Sequence, residues 1–365
     1  MSLFGNQYEL PMNVDYVKHW GMAEAVRELI QNSLDCNSPF EYSFSSNAEG
    51  THTLKLFSKF EQLLPKTLLL GTTSKADDPH SIGSFGEGYK IAMLVLKRMK
   101  YDMVIYNRDR IWKPHFVYNK KYEAEILVVS DEAAPQTNEG VTFAVSGLSS
   151  EDVEEIKNSC LHMQKSVGEV HETSQGRILL DRKGQLFVNG LYVCETEMDY
   201  GYDVKPEYLT LERDRQTVGS WELKSVTRDM WYDTELWDDI AKMMADEVVD
   251  MSYSEWSSPE LLKAACFELF NKTNPNATVV RNQTELNELV GRGMVEVVIV
   301  NTGTYNAITG HERYNTSPAH VTTLPRKSPT TLIEEWSVEM RKHCRRQGQV
   351  LLKELVVKSS EWTNK

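Results

Sequence analysis

The sequence predicts an α+β protein: a two-layer α/β sandwich, then a strand-and-helix block, then a small C-terminal α/β region. Three observations carry that reading. Residues Met22 to Cys36 place Val26, Leu29 and Ile30 on one side of a helix and a polar row on the other. Tyr101 to Tyr106, Ile111 to Val117, Tyr122 to Val129 and Gly140 to Val145 are β-rich runs separated by turn residues, the pattern of an antiparallel sheet. After Ser257-Ser258-Pro259, helical and extended patterns alternate. At 365 residues the chain is long enough for two or three domains, and 41% hydrophobic with 25% charged residues is globular usage.

In chain order, Tyr8 to Trp20 reads as a short strand and a lead-in helix. Gly21 breaks that run, and the Met22 helix ends at Asn37-Ser38-Pro39, because proline cannot continue a helix. Glu41 to Ser46 and Thr51 to Phe57 read as strands, the second with clear alternation. Leu63 to Leu70 fits a short helix. Thr72 to His80 is polar and holds the turn signal Asp77-Asp78-Pro79. Ile91 to Leu96 is an apolar helical run. The sheet built from these strands and the four later ones is expected to be mixed, with helices on one face.

Two stretches carry chemistry. Glu28, Asn32 and Asp35 stand at i, i+4 and i+7, so a carboxylate, an amide and a second carboxylate share one helix face. For a lone Glu-Asn pair, a solvated face would be the ordinary explanation. Some fifty residues on comes Gly71-Thr72-Thr73-Ser74-Lys75, then Ser81-Ile82-Gly83-Ser84-Phe85-Gly86-Glu87-Gly88-Tyr89-Lys90. Gly83, Gly86 and Gly88 precede the Ile91 helix, so its N-terminus is predicted to offer backbone N–H groups to an anion. No Gly-Lys-Ser/Thr follows, which excludes a Walker loop, and no apolar strand leads straight in, which excludes a Rossmann fingerprint. Lys75 and Lys90 are the basic residues best placed to meet phosphates; solvated side chains are the competing account of both.

Taken together, in this order and at this distance, the two stretches resemble the superfamily of gyrase, the large heat-shock chaperone, histidine kinases and MutL. The Phe-Gly-Glu-Gly-Tyr-Lys core is most similar to the MutL and MORC branches and to phage proteins of this type. The resemblance covers residues 8–150 most strongly and implies a Bergerat-type ATP-binding fold with ATP and Mg²⁺ as cofactors. It implies Glu28 as the catalytic base and Asn32 as the metal ligand. It also implies a phosphate cradle and lid hinge at Gly83, Gly86 and Gly88, with Asp35, Phe85, Glu87, Lys75 and Lys90 lining the nucleotide. Two departures stand out. The family's Asp-x-Gly-x-Gly, whose aspartate accepts the adenine amino group, is replaced by Ser58-Lys59-Phe60-Glu61-Gln62. Ser58 then stands at the aspartate's place, and Glu61, a serine with a bound water, or relaxed base selectivity are the alternatives. The family's Gly-Thr near the phosphates has its hydroxyl one position late here, at Thr142, which alternation puts on the other face of the strand.

Beyond residue 150, Ser149-Ser150-Glu151-Asp152 caps a helix running to Val167. Gly176 to Val193 reads as a hairpin turning at Asp181-Arg182-Lys183-Gly184, and long helices follow from Trp221 to Met251. In the MutL and gyrase relatives this position holds a transducer domain that returns a basic residue to the γ-phosphate, for which Arg213 and Arg215 are the candidates; a structural ion pair with Glu212 or Asp214 is the competing account. The expected domains are 1–150, 151–256 and 257–365. Within the last, Asn301 to Lys327 reads as a loop, and a terminal helix carries Arg341, Lys342, Arg345 and Arg346 in one cluster. From Arg326 to Lys365 there are nine basic and five acidic residues, which suits a nucleic-acid or acidic partner or simply a solvated face.

The formal charge of −13 excludes a broad nucleic-acid surface. Cys36, Cys160, Cys194, Cys266 and Cys344 lack metal-ligand spacing, no stretch is long and apolar enough for a membrane span, and no signal peptide opens the chain, so a cytoplasmic protein is expected. Two functions follow as expectations. One is an ATPase whose lid closure joins two protomers into a homodimer. The other is a nucleotide-binding module without useful hydrolysis that captures a partner through its C-terminal region. A histidine kinase fits poorly, since no dimerising helix with a phospho-acceptor histidine precedes the module.

Overall fold

The computed structural model describes residues 6–36, 38–69, 87–211, 219–252, 254, 258–275, 277–292, 296–316 and 329–362. The chain divides into two compact units, Met1–Glu235 and Leu236–Lys365.

The first unit is α+β. Its main sheet has seven strands: β1 (Asn6–Asn13), β2 (Glu41–Ser46), β3 (His52–Lys59), β4 (Asp102–Asn107), β5 (Arg110–Asn119), β6 (Ala124–Ala133) and β7 (Gly140–Leu148). Their order is β1-β6-β5-β4-β7-β3-β2. Every neighbouring pair is antiparallel, so the expected mixed sheet is corrected to a purely antiparallel one. β1 joins the edge by pairing with β6 of its own chain.

Alternation decides what each face does. Leu54 and Leu56 of β3, Met103 and Ile105 of β4, and Val141, Phe143 and Val145 of β7 share one core. Packed into that core are α1 (Met22–Leu34) and α2 (Gly88–Arg98). α1 contributes Met22, Ala25, Val26, Leu29 and Ile30, all fully or almost fully buried. At about 1.5–3 kcal/mol for each large aliphatic side chain, that face is what holds the helix in place. Its N-terminus has half a capping box, since the Glu24 carboxylate accepts from the Gly21 N–H at 2.8 Å while glycine has no side chain to reciprocate.

Between β1 and α1 the expected lead-in helix is a series of turns over residues 14–19. Turn carbonyls lack ladder partners. Arg98 at the end of α2 supplies them, its guanidinium donating to the carbonyls of Val14, Tyr16, Val17 and Trp20 at 2.9–3.2 Å.

The same core runs past residue 150. α3 (Ser150–Asn158) adds Val153 and Ile156, and Cys160, Met163 and Leu191 complete it. Ser149 caps α3 as expected, its hydroxyl accepting from Asp152 N–H at 3.1 Å. The helix is shorter than expected, ending at Asn158 instead of Val167.

A five-stranded sheet follows, from β8 (Val170–Thr173), β9 (Gly176–Leu179), β10 (Gln185–Val188), β11 (Leu191–Glu195) and β12 (Gly201–Val204), in the order β11-β10-β12-β9-β8. The expected hairpin across Asp181–Gly184 is therefore corrected: β12 inserts between β9 and β10, parallel to β10 and antiparallel to β9. The tight hairpin is instead β10–β11, turning at Asn189 and Gly190, both at positive φ. α4 (Ser220–Asp233) covers this sheet, with Trp231 Nε1 donating to Tyr202 Oη at 2.9 Å.

The second unit holds α5 (Trp237–Ala245), α6 (Glu260–Thr273), β13 (Thr278–Val280), α7 (Gln283–Gly291), β14 (Val297–Ile299), α8 (Thr302–Thr309), α9 (Glu312–Thr316), α10 (Pro329–Met340) and α11 (Arg346–Trp362). β13 and β14 are parallel, as a strand–helix–strand unit requires. The loop expected from Asn301 contains α8, which Asn301 caps by accepting from Thr304 N–H at 2.9 Å. The basic cluster is also corrected: Arg341, Lys342 and Arg345 lie in the break between α10 and α11, and Arg346 opens α11, so no single helix face carries them.

Candidate functional site

Glu28 sits in the middle of α1, 1% exposed, on the side opposite Val26, Leu29 and Ile30. It faces the start of α2. A Cβ added to Gly88 would collide with Glu28 Oε2 and stand 3.4 Å from Asn32 Nδ2. Only glycine lets the first turn of α2 come this close to the Glu28 carboxylate. The polar row of α1 and the glycine at the head of α2 are thus in contact.

Asn32 is half-buried. Its Nδ2 donates to the Glu28 carbonyl at 2.7 Å, so the amide is held by its own helix and its orientation is set. Asp35 is the C-cap residue of α1, half-buried, its N–H bonded to the Gln31 carbonyl at 2.9 Å. Glu87 occupies the N-cap position of α2, and its carbonyl accepts from Lys90 and Ile91 N–H. The Glu87 side chain does not cap α2.

Lys90 departs from expectation. It is fully buried, and its Nζ donates to the Thr67 carbonyl at 2.9 Å and the Leu69 carbonyl at 2.5 Å. Burial pushes its pKa down, with the Glu87 charge acting the other way. The ammonium fastens the segment around the short 3₁₀ turn Pro65–Leu68 to α2, and main-chain carbonyls take the place that a phosphate was expected to fill. Tyr89 makes the neighbouring tie, Thr67 Oγ1 to Tyr89 Oη at 2.9 Å. Burial raises the Tyr89 phenol to about 12.

Thr142 lies on β7 between Phe57 and Tyr106. Its neighbours Val141 and Phe143 belong to the helix-facing core, so alternation turns Thr142 to the opposite face of the sheet. It is not among the residues gathered around Glu28. Glu61 belongs to the loop after β3, and it is its carbonyl that is used, accepting from Arg108 Nε at 3.3 Å. Gly83, Phe85, Gly86, Lys75, Arg213 and Arg215 lie outside the described residues.

Two further residues belong to this region. Arg27, 8% exposed, reaches within 4.0 Å of Glu28 Oε1 and donates to the Tyr192 carbonyl of β11 at 3.5 Å. Adjacency to Glu28 was its only trace in the sequence. Ser58 is 2% exposed at the end of β3, on the helix-facing side, and its hydroxyl has no hydrogen-bond partner among the described residues. Among those residues there is also no group of three or more His, Cys, Asp or Glu side chains able to hold a metal ion. A metal here would depend on Asn32 together with the ligand's own oxygens.

No family model matches the chain. An uncharacterized protein of Mycoplasma pneumoniae is 23% identical over 228 residues, covering 59% of this chain and 89% of that protein. The crystal structure of the B-subunit of the DNA gyrase from Myxococcus xanthus is a distant structural neighbour. It covers 61% of this chain and 90% of that chain, with 7% identity and a TM-score of 0.30. No helix among the described residues is long and apolar enough to cross a membrane.

Proposed function

We propose that this chain binds ATP with Mg²⁺ between α1 and the head of α2 and hydrolyses it slowly. The observation that carries the proposal is the packing of Glu28 and Asn32 against Gly88, the glycine whose missing side chain lets the carboxylate lie against the head of α2. The carboxylate is the group able to accept a proton from an attacking water. Asn32, its nitrogen tied back to the Glu28 carbonyl, has its carboxamide oxygen as the end that would hold the metal. Mg²⁺, when bound, would neutralise charge on the phosphate oxygens. The head of α2, which the Glu87 side chain does not cap, would present the positive end of the helix dipole to the same phosphates. Catalysis by such a site is mostly positioning and charge stabilisation, so turnover is slow. Nucleotide binding is proposed to bring two protomers together.

The test is a pair of variants. Glu28→Ala lowers hydrolysis by about 10²–10⁴-fold while leaving Mg-ATP affinity within a few fold. Asn32→Ala removes Mg-dependent binding. The same samples on a sizing column with a non-hydrolysable analogue shift to the dimer. Undiminished turnover in Glu28→Ala refutes the catalytic assignment. Binding without turnover in the unaltered chain favours the nucleotide-binding module instead.

A further inference from the structure

In the second unit, α10 and α11 pack on one another as a helical hairpin. Only residues 341–345 separate them, a connection short enough to reverse the chain. Across that turn the Gln349 side chain donates to the Arg341 carbonyl at 3.0 Å. Ser337 and Leu352, 1% and 9% exposed, mark the inward side of each helix. Beside that side lie Leu332 and Trp336 on α10, 54% and 52% exposed, and Leu351 and Leu355 on α11, 63% and 36% exposed. At about 100° per residue, both pairs are displaced in the same rotational sense from the inward residue of their own helix. Because the chain reverses between the helices, that shared sense turns both pairs to one face of the hairpin. An exposed apolar face of this breadth marks an interaction site.

The charge gathers at one end of the hairpin. The turn reads Arg341-Lys342-His343-Cys344-Arg345-Arg346, with Lys342, His343 and Arg345 exposed. Lys358, also exposed, lies on the same flank of α11 as Leu351 and Leu355. Three occupants suit part of this surface. A second copy would cover the leucines, but with turns at the same end it sets two basic clusters together, and reversed it sets each cluster beside Pro329-Thr330-Thr331, which carries no charge. A nucleic-acid duplex would neutralise the turn and leave the leucines and the tryptophan in water. An anionic lipid surface meets both needs, hydrocarbon for the apolar face and headgroup charge for the turn.

We propose that the α10–α11 hairpin docks this chain on an anionic lipid surface. It lies in the plane of the interface, with Leu332, Trp336, Leu351 and Leu355 at the acyl boundary and the basic turn among the headgroups. Length excludes spanning: 12 and 17 residues rise about 18 and 25 Å, short of a hydrocarbon core of about 30 Å. Tryptophan suits the boundary, where its ring sits at headgroup level. The formal charge of −13 on the whole chain opposes the approach. Screening limits that opposition to about 8 Å at physiological salt, so the charges of the turn act on the headgroups nearest to them. None of these residues belongs to the nucleotide site, so docking needs no nucleotide.

The experiment is co-sedimentation of the full chain, without nucleotide, with vesicles of phosphatidylcholine alone or mixed about 3:1 with phosphatidylserine. The chain binds the mixed vesicles at least about tenfold more tightly than the neutral ones, and salt raised from about 0.1 to 0.5 M weakens that binding by about tenfold. Lys342→Ala with Arg345→Ala weakens it by about ten- to thirtyfold. Leu351→Asp with Leu355→Asp abolishes it at either salt, with circular dichroism confirming the fold. No binding to the mixed vesicles overturns the proposal, as does undiminished binding by the leucine variant. Sedimentation equilibrium without lipid tests the second copy: a dimer that the leucine variant loses gives the face to self-association and overturns the proposal. A DNA duplex tests the turn: binding that survives the leucine changes and is lost with Lys342 and Arg345 gives the turn to nucleic acid and overturns it too. If the leucine variant does not fold, the Lys342 and Arg345 variant and the salt series still decide.

Discussion

α1 and α2 lie on the same face of the same sheet, and each buries charge beside an apolar core. Glu28 is 1% exposed and Lys90 fully buried. Their partners differ. The Lys90 ammonium is committed to two main-chain carbonyls of the segment it fastens, at Thr67 and Leu69. The Glu28 carboxylate lies beside the Arg27 guanidinium and against Gly88. The first arrangement is a pin, satisfied by groups that have nowhere else to go. The second keeps a charge next to bare backbone at a helix N-terminus, where an anion is stabilised.

The largest effect that would sharpen this contrast is expected at Gly88. Gly88→Ala puts a methyl where the Glu28 carboxylate sits, so hydrolysis falls by about a hundredfold. Displacing the buried carboxylate costs about 1–3 kcal/mol, more than alanine's helix preference of up to about 1 kcal/mol returns, so the melting temperature falls by a few degrees. Parallel measurement of turnover and melting separates the two, and unchanged turnover would break the contrast at its functional end. Lys90→Met acts on the other helix. It strands the Thr67 and Leu69 carbonyls, costing about 2–4 kcal/mol, which is roughly 5–15 °C in melting temperature for a unit of this size. An unshifted melting curve would show that the pin is dispensable.

The smallest effect is in pH. Tyr89 has its phenol raised from 10.0 to about 12 by burial, so the unfolded chain ionises first. The stability this burial provides is complete below pH 10 and is lost as pH rises towards about 12, by at most about 1.4 kcal/mol per pH unit. Urea unfolding at pH 9 and pH 11 measures the slope, and Tyr89→Phe flattens it. A slope unaffected by that substitution would assign the loss to other groups.

Much of the fold was legible. Alternation marked β3, the four-run pattern marked β4 to β7, and the i, i+4, i+7 row on α1 set Glu28 and Asn32 on the side opposite Val26, Leu29 and Ile30. Local signals succeeded where the elements are strongly periodic. They failed where neighbours came from far along the chain. β12 is four residues long and buried throughout, with no alternation to betray it, and its insertion between β9 and β10 undid the simple hairpin. At the site, the sequence gathered Lys90 with the glycines because it follows them directly, yet one helical step turns its side chain into the core.

The sequence alone determined the polar row of α1, the position of Gly88 at the head of a helix and the serine standing where a carboxylate was expected, because each depends only on spacing and residue type. Only the tertiary structure decided that Glu28 and Gly88 touch, that the Lys90 charge is absorbed by carbonyls and that the Ser58 hydroxyl is buried with no partner among the described residues. Those facts turn on which groups the packing of two helices on one sheet brings within hydrogen-bond reach, a relation between segments distant in the chain that no local pattern encodes.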